Sequence, residues 1–243
     1  MVRDTRDSGD GRSADRHDLV RTDTRIEAAA LLFDMDGVLL DSRLVVERTW
    51  RRWASRHRLS AESLLRVAHG RRTQDTLRIA APELATAQEV AWIEGAELED
   101  LDGVRPIPGS VPLIAALPPS RWTVVTSAGR ELATGRLAAV GLHLPDSAVT
   151  SDDVERGKPF PDGYLLAAAR LGVTAADCLV VEDAPPGIQA GRAAGARVLA
   201  LTTTHAREDL AGADHVVPDL RSVQVTAGAA TLAILIKERP SAT

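Results

Sequence analysis

Cysteine, lysine and long apolar runs are scarce in this 243-residue chain, and each scarcity excludes a class of protein. Cys178 is the only cysteine, so no internal disulfide can form, and its apolar neighbours predict a buried core position. No apolar run approaches the roughly 20 residues that a membrane span needs. A net charge of −5 gives no basic surface for nucleic acid. With 44% hydrophobic residues, the composition predicts a globular protein, and the cytoplasm is its default location.

Only two of the 29 basic residues are lysines, Lys158 and Lys237, and the rest are arginines. Lys158 lies in the segment Gly157-Lys158-Pro159, and Pro161 follows shortly after it. Because the two prolines stiffen this segment, the lysine is held in one direction. A fixed cation of this kind can neutralise carboxylate or phosphoryl charge, although a solvated loop lysine is the ordinary alternative.

Short apolar and β-branched runs alternate with helical segments along most of the chain. We predict strands near 29–33, 122–126, 147–150, 178–182, 197–201 and 215–217. Strands that alternate with helices indicate a parallel sheet covered by helices on both faces. The expected fold is therefore α/β, with a Rossmann-like, doubly wound parallel sheet.

The segment 44–109 interrupts this alternation after the first strand. Its apolar residues recur at helical spacing among Arg, Glu and Ala, which predicts several helices and no strand. Pro106-Ile107-Pro108-Gly109 is a hinge signal at its far end. We therefore expect a helical cap over 44–109, inserted into a core that is formed by 26–43 and 110–243.

The two ends of the chain are expected to contribute little. Residues 1–25 are rich in Arg, Asp, Ser and Gly and contain no apolar centre of a signal peptide, so they are predicted to form a disordered tail. The segment 231–237 is predicted to form a short helix near the other end.

Two carboxylates follow the first predicted strand, in the sequence Phe33-Asp34-Met35-Asp36-Gly37. Residues two apart in an extended strand point the same way, so both carboxylates can enter one site. Their mutual repulsion favours different protonation states or a shared cation. One can then act as a nucleophile and the other can transfer a proton. An ordinary Asp-Gly turn is the alternative.

Two later strand ends also carry polar groups. Thr126 and Ser127 follow an apolar strand, where a hydroxyl and free backbone N–H groups suit a phosphate oxygen, although both can simply cap the next helix. Glu182 and Asp183 end another apolar strand, and Asp183 with Asp34 supplies the hard oxygen ligands that Mg²⁺ prefers. Acids favoured at a helix N-terminus are the alternative.

Together these motifs resemble the haloacid dehalogenase superfamily of phosphohydrolases over roughly residues 29–220. The resemblance rests on Asp34-x-Asp36-Gly37-Val38, on Thr126-Ser127, on Gly157-Lys158-Pro159 and on Glu182-Asp183-Ala184-x-x-Gly187. The predicted cap resembles the small cap of the sugar-phosphatase and phosphoglucomutase branch. Finer similarity, in His69-Gly70-Arg71-Arg72-Thr73, is to phosphatases of 2-deoxyglucose-6-phosphate and glycerol phosphate.

The resemblance implies a role for each matching residue. Asp34 is the expected nucleophile, which forms an aspartyl-phosphate, and Asp36 is the expected acid and base. Thr126, Ser127 and Lys158 are expected to hold the phosphoryl group. Asp34, Asp183 and the backbone carbonyl of Asp36 are expected to ligate Mg²⁺, with Glu182 as a further ligand or a neighbour of one. The resemblance thus implies a Mg²⁺-dependent phosphatase of a small sugar or polyol phosphate.

Residues of the cap and two other functions remain open. The candidates for binding the hydroxyl groups or the distal charge of the substrate are His69, Arg71 and Arg72. The alternative is that these residues form a solvated helix face or loop. A hexose-phosphate mutase resembling β-phosphoglucomutase is the main alternative. Such mutases carry a hinge histidine and a cap arginine where this chain has Val46 and Thr73. A phosphate-ligand-binding protein without turnover is a further alternative, which the intact set of acids and Lys158 disfavours.

Overall fold

The computed structural model describes residues 23–68 and 70–237. The strands of this part of the chain are β1 (Asp23–Ala28), β2 (Ala30–Phe33), β3 (Leu40–Asp41), β4 (Arg105–Pro106), β5 (Trp122–Val124), β6 (Cys178–Glu182), β7 (Arg197–Leu201), β8 (His215–Val217), β9 (Val223–Ala227) and β10 (Leu232–Lys237). The α-helices are α1 (Arg43–His57), α2 (Ala61–Ala68), α3 (Thr73–Ala80), α4 (Ala87–Glu99), α5 (Ser110–Ala116), α6 (Arg130–Ala139), α7 (Asp162–Arg170) and α8 (Pro185–Ala193).

A five-stranded parallel sheet in the order β5-β2-β6-β7-β8 forms the centre of the molecule. Strands β2 and β6 are buried along their whole length, as expected for parallel strands that are covered on both faces. Leu31, Phe33 and Val181 pack into one core cluster, whereas Leu32 and Val180 pack into another. The alternation of side chains thus fills the space on both faces of the sheet, and the predicted α/β fold is confirmed.

The strand predicted at 147–150 is not a strand. Val149 forms a single parallel bridge with Val125, and the backbone then enters a 3₁₀ turn, Ser151–Asp153. Thr150 begins this turn through a capping box in which Asp153 accepts from its backbone N–H. This capping box therefore ends the extended segment after a single bridge.

Strands β1, β10 and β9 form a separate antiparallel sheet, and this corrects two predictions. Residues 23–25, assigned to the disordered tail, pair with 235–237 within β1 and β10. The segment 231–237, predicted to be helical, is mostly strand β10, in which Leu232, Ile234 and Ile236 are buried in alternation with half-buried residues. Residues 1–22 of the predicted tail and residues 238–243 lie outside the described part of the chain.

Four helices, α1 to α4, form the segment between β3 and β4, as predicted. Their own cluster of buried residues contains Trp50, Trp53, Leu64, Leu77 and Ile93. The chain enters this helical cap after β3 and leaves it before β4, and these two strands pair with each other. Leu40 lies opposite Pro106, and Asp41 lies opposite Arg105. Strand β4 lies inside the segment 44–109, which was predicted to contain no strand, so that prediction is wrong at the far end of the segment. Among the described residues, no helix is long and apolar enough to cross a membrane.

Candidate active site

A cleft lies between the carboxyl ends of the central strands and the cap, and it encloses about 720 Å³ of space including its open mouth. Asp34 follows β2, Ser127 follows β5 and Asp183 follows β6, and all three line this cleft. Because neighbouring parallel strands end at the same edge of a sheet, residues far apart in sequence meet there. The cap contributes the opposite wall through residues of α1, α3 and α4, among them Val46, Thr73 and Glu97.

Lys158 joins two of the acids at the bottom of the site. Its Nζ lies 2.5 Å from Oδ1 of Asp34 and 2.6 Å from Oε1 of Glu182, and all three side chains are buried. Burial alone would lower the pKa of Lys158, but the two carboxylates more than offset this effect, so the pKa of the ammonium is raised. Lys158 therefore stays charged across the physiological range.

Glu182 uses both of its carboxylate oxygens within the protein. Besides Lys158, Oε1 accepts from the hydroxyl of Tyr164 at 2.8 Å. Oε2 accepts from the backbone N–H groups of Asp183 and Ala184, at 2.9 and 3.2 Å. These four hydrogen bonds fix Glu182 as the partner of Lys158 and leave it little capacity for a metal ion.

Asp34, Glu182 and Asp183 each offer a carboxylate oxygen within 4.8 Å of the others. Oδ1 of Asp183 is buried without a hydrogen-bond partner among the described residues, whereas its other oxygen accepts from Thr204. Burial and the charges of Glu182 and Asp34 raise the pKa of Asp183 well above its ordinary value, and burial raises that of Asp34 to about 7. A divalent cation would reverse both effects and would occupy the unpartnered oxygen.

Gly37 allows the two acidic segments to approach each other. Its φ of 82° lies in the left-handed region that favours glycine. A Cβ atom at this position would lie 2.0 Å from Oδ2 of Asp183. The glycine after Asp36 is thus required both by the turn and by the space that Asp183 occupies.

Asp36 lies at the side of the cleft and is bound by two donors. The hydroxyl of Ser42 donates to Oδ1 of Asp36 at 2.5 Å, and Nη1 of Arg136 donates to the same atom at 3.0 Å. The side chain of Asp36 remains about a third exposed, at 31%. Asp36 is therefore oriented by the protein while it stays accessible from the cleft.

Arg136 also connects the sheet domain to the cap. Its Nη2 donates to Oε2 of Glu97 at 2.9 Å, and both side chains are buried. Burial raises the pKa of the Glu97 carboxyl to about 7, although Arg136 acts in the opposite direction. The two residues line the cleft next to Asp36.

Thr126 and Ser127 hold the turn after β5. The backbone N–H of Thr126 donates to Val149, and its hydroxyl accepts from the N–H of Ala128 at 3.1 Å. The hydroxyl of Ser127 donates to the carbonyl of Gly70 in the cap at 3.2 Å. Ser127 lines the main cleft, whereas Thr126 lines a smaller cavity behind it that Lys158 also borders.

The three candidate residues of the cap have different surroundings. Arg71 lines the cleft, and its guanidinium makes no hydrogen bond with another described residue. Arg72 is buried and points away from the cleft, where it binds Asp75 at 2.6 Å and the carbonyl of Val154 at 3.2 Å. It therefore joins the cap to the sheet domain. His69 lies outside the described residues.

Several residues of the site carry no sequence signal of their own. Arg136 and Glu97 lie on helices whose pattern gives no reason to distinguish them from other charged residues. Ser42 lies just beyond the first motif, which ends at Val38, and Thr204 follows β7 as the last of three threonines, Thr202 to Thr204. The position of Thr204 at the end of a parallel strand is the one feature that could have marked it.

Known proteins resemble this chain in sequence and in fold. Residues 28–195 match the model of the haloacid dehalogenase-like hydrolase family. Hexitol phosphatase A of Escherichia coli (strain K12) is 38% identical over 200 residues, which cover 80% of this chain and 93% of that protein. Glycerol-1-phosphate phosphohydrolase 2 of Saccharomyces cerevisiae is 34% identical, over 82% of this chain and 86% of its own length. The crystal structure of a hydrolase from Pseudomonas syringae superposes with a TM-score of 0.71 at 27% identity, covering 79% of this chain and 94% of that one.

Proposed function

The chain belongs to the haloacid dehalogenase-like hydrolases, and we infer that it is a phosphatase that hydrolyses a small sugar or polyol phosphate. The observation that carries this inference is the contact between Asp34 and Lys158 at 2.5 Å, beside an Asp183 oxygen that has no hydrogen-bond partner in the described part of the chain. A nucleophile, a fixed cation and a free metal ligand are the groups that phosphoryl transfer requires.

In the first step, an oxygen of Asp34 attacks phosphorus. A bond forms between Asp34 and phosphorus, and the bond from phosphorus to the alcohol oxygen breaks. Asp36 donates its proton to that departing oxygen, so the product leaves as a neutral alcohol. Lys158 stabilises the negative charge on the phosphoryl oxygens while Glu182 holds the ammonium in place.

In the second step, water releases the phosphate. Asp36, now a carboxylate, removes a proton from a water molecule, which attacks phosphorus. The bond to Asp34 breaks, inorganic phosphate leaves, and Asp36 is again protonated for the next cycle. The hydrogen bonds from Ser42 and Arg136 keep Asp36 at the same position for both transfers.

Asp34 and Asp183, with the backbone carbonyl of Asp36, are the groups that would hold a metal ion, and Mg²⁺ is the ion we propose. The fit rests on the unpartnered oxygen of Asp183 and on three acids within 4.8 Å. Hard carboxylate and carbonyl oxygens match the preference of Mg²⁺. When bound, the ion supplies positive charge that offsets the repulsion between the phosphoryl group and the acids.

The phosphoryl group is proposed to lie against Ser127 and Thr126 on one side and Lys158 on the other. The backbone N–H of Ser127 follows a strand and precedes a helix, a position suited to an anion. Arg71, which has no hydrogen-bond partner among the described residues, is the cap residue best placed to approach the substrate from above. Arg72 is occupied by Asp75 and Val154, so we assign it to cap attachment instead.

Hydrolysis is favoured over phosphate transfer to a sugar. Val46 and Thr73 both line the cleft at the positions where the mutases resembled here carry a histidine and an arginine. Val46 has no group that can transfer a proton, and Thr73 offers a phosphate one hydroxyl group but no positive charge. The two curated relatives named above are phosphatases of a hexitol phosphate and of glycerol 1-phosphate, which supports a small polyol or sugar phosphate here as well.

The test is phosphate release from a panel of phosphomonoesters, in the presence of Mg²⁺ and in the presence of EDTA. The panel contains glycerol 1-phosphate, hexitol 6-phosphates, hexose 6-phosphates and β-glucose 1-phosphate. Release that requires Mg²⁺ and disappears in Asp34→Asn supports the proposal, provided that Asp146→Asn, at an exposed position, retains activity. Conversion of β-glucose 1-phosphate into glucose 6-phosphate without net release would instead establish the mutase.

A further inference from the structure

We propose that Glu97 is a specificity-determining residue, whose carboxylate binds the substrate hydroxyl on the carbon next to the phosphorylated one. This inference rests on the phosphatase function proposed above. It assigns a chemical feature of the substrate to one side chain of the cap. Glu97 lies on α4, so in this proposal the cap binds the alcohol part of the substrate and the sheet domain binds its phosphate group.

The first observation is the free oxygen of Glu97. Oε2 accepts from Arg136 at 2.9 Å, but Oε1 has no hydrogen bond with any described residue. Glu97 as a whole is only 4% exposed. Its Oε1 is nevertheless not a fully buried atom that lacks a partner, so this oxygen keeps some contact with the cleft. Because Glu97 lines the cleft, its free oxygen faces space that a ligand can enter.

The second observation is the position of Glu97 relative to Asp36. Both carboxylates bind the same guanidinium, Asp36 through Nη1 of Arg136 and Glu97 through Nη2. Asp36 must reach the ester oxygen of the substrate in order to protonate it. Because the two carboxylates share one guanidinium, a group bound by Glu97 lies near the ester oxygen, and the nearest hydroxyl group of the substrate is the one on the neighbouring carbon.

The third observation is the charge distribution in the cleft. Lys158 lies beside Asp34, where the phosphoryl group is proposed to bind, whereas Glu97 contributes a carboxylate on the side of Asp36 and is paired there with Arg136. A carboxylate oxygen accepts a hydrogen bond from a hydroxyl group, but it accepts none from a carboxylate or a phosphate that has no proton to donate. The free oxygen of Glu97 therefore suits a hydroxyl group at this position better than an anionic group.

The burial of this pair is costly for the fold, which is a further reason to assign it a function. Glu97 and Arg136 are both buried, and Nε of Arg136 has no hydrogen-bond partner among the described residues. Apolar side chains of similar volume often replace a buried ion pair without loss of stability. The connection that this pair makes between the cap and the sheet domain therefore does not by itself explain why both residues are charged.

The test compares substrates that differ by single hydroxyl groups. The panel is glycerol 1-phosphate, 2-hydroxypropyl phosphate, 3-hydroxypropyl phosphate and propyl phosphate, each assayed with the wild-type protein and with Glu97→Ala. The wild type should prefer the first two over the last two. In Glu97→Ala, kcat/KM for the first two should fall about 10- to 100-fold, the effect of a lost hydrogen bond to a charged group. The fall for propyl phosphate should be at least tenfold smaller.

Two variants control for stability and for the loss of a surface charge. Glu97→Gln keeps the shape of the side chain and one oxygen for Arg136, so its selectivity should lie between those of the wild type and Glu97→Ala. Glu99→Gln removes an exposed charge from the same helix and should behave as the wild type. Thermal unfolding of each variant shows whether it is folded.

Equal losses on all four substrates in Glu97→Ala and Glu97→Gln would overturn the proposal, because a residue that only holds the cap affects every substrate alike. A wild-type protein that does not distinguish 2-hydroxypropyl from propyl phosphate would overturn it too. Failure of the proposed function is distinguishable from both results, since the wild type would then release phosphate neither from these four esters nor from the sugar and hexitol phosphates of the panel given above.

Discussion

Nζ of Lys158 lies 2.6 Å from Oε1 of Glu182, and this buried contact separates the roles of two adjacent acids. Glu182 uses its oxygens for Lys158, for Tyr164 and for two backbone N–H groups. Asp183, the next residue, keeps one oxygen without a hydrogen-bond partner among the described residues. The sequence predicts Asp183 as a metal ligand and leaves open whether Glu182 is a further one, and the hydrogen bonds of Glu182 disfavour that second role.

Glu182→Gln should therefore impair catalysis more than metal binding. A glutamine offers one acceptor oxygen for four donors, so Lys158 loses part of its support. We expect kcat to fall about 10- to 100-fold, the usual effect of losing a partner that orients a group of the site. The Mg²⁺ concentration for half-maximal activity should change less than about threefold. Glu155→Gln, in the exposed loop before Lys158, is the control, and a large loss of Mg²⁺ affinity in Glu182→Gln would make Glu182 a ligand.

Asp36→Ala should lower the rate in a manner that depends on the leaving group. With an alkyl phosphate, kcat should fall about 10²- to 10⁴-fold, because the alkoxide leaves without a proton. With p-nitrophenyl phosphate, whose phenolate leaves readily without a proton, the rate of the first step should fall much less. A burst of p-nitrophenol in a rapid-mixing experiment would reveal this first step. If the rate of the burst fell by the same factor as kcat with the alkyl phosphate, Asp36 would not be the acid that protonates the leaving group.

Gly187→Ala should destabilise the site through Glu182. A Cβ atom at Gly187 would lie 1.6 Å from Oε1 of Glu182, so the carboxylate has to move and its hydrogen bonds are lost. We expect unfolding to require about 1 to 3 kcal/mol less free energy, the cost of leaving buried polar groups unpaired. Gly95→Ala, in helix α4, is the matched control because nothing lies within 4 Å of its added Cβ. That variant should be neutral or slightly more stable, as measured by urea denaturation.

Asp153→Asn should reduce stability in a pH-dependent way. Burial raises the pKa of Asp153, but hydrogen bonds from Arg170 and Thr150 more than offset this, so the pKa is held well below its usual range. A depressed pKa contributes stability above the unfolded value, which is about 3.9, and the contribution is lost as the pH falls through the folded value. The variant should therefore be less stable than the wild type at pH 7, and the difference should shrink below about pH 4. A difference that stays constant from pH 7 to pH 3 in urea denaturation would contradict this account.

Arg71→Ala and Arg72→Ala should have different effects. Arg72 bridges Asp75 and the carbonyl of Val154, so its loss should lower the free energy of unfolding by about 1 to 3 kcal/mol. Arg71 makes no hydrogen bond with another described residue, and its loss should raise KM with little change in stability. Thermal unfolding and steady-state kinetics of both variants provide the measurement. The reverse pattern would show that Arg72 is the residue that reaches the substrate.

The parts of the site that lie at strand ends were accessible to sequence reasoning. Asp34 and Asp183 each stand in a short motif, and the parallel order of strands β2 and β6 brings these two motifs to one edge. Lys158 lies in the loop before α7 and was marked by its own motif, Gly157-Lys158-Pro159. The α/β fold follows from the same alternation of apolar runs and is confirmed. Such local patterns are predictable because each one depends on only a few neighbouring residues.

Contacts between distant helices were not accessible. Glu97 and Arg136 are 39 residues apart and become neighbours only when the cap packs on the sheet domain. Strand β10 was predicted to be helical because Leu, Ala and Ile suit either structure. The first three residues of its partner β1 lie in the segment 1–25, whose charged composition predicts disorder. Pairing with a distant strand therefore decided the structure of β10 against its local pattern.

The position of β2 in the central sheet has a consequence for the synthesis of the protein. This strand, which carries Asp34 at its end, is made before both of its neighbours, β5 and β6. Ala30 pairs with Cys178, so the strand stays without one neighbour until β6 has left the ribosome. The helices of the cap depend mainly on local contacts and can form first, whereas the sheet closes late and slowly. We expect the nucleophile to be the earliest residue of the site to emerge and among the last to become functional.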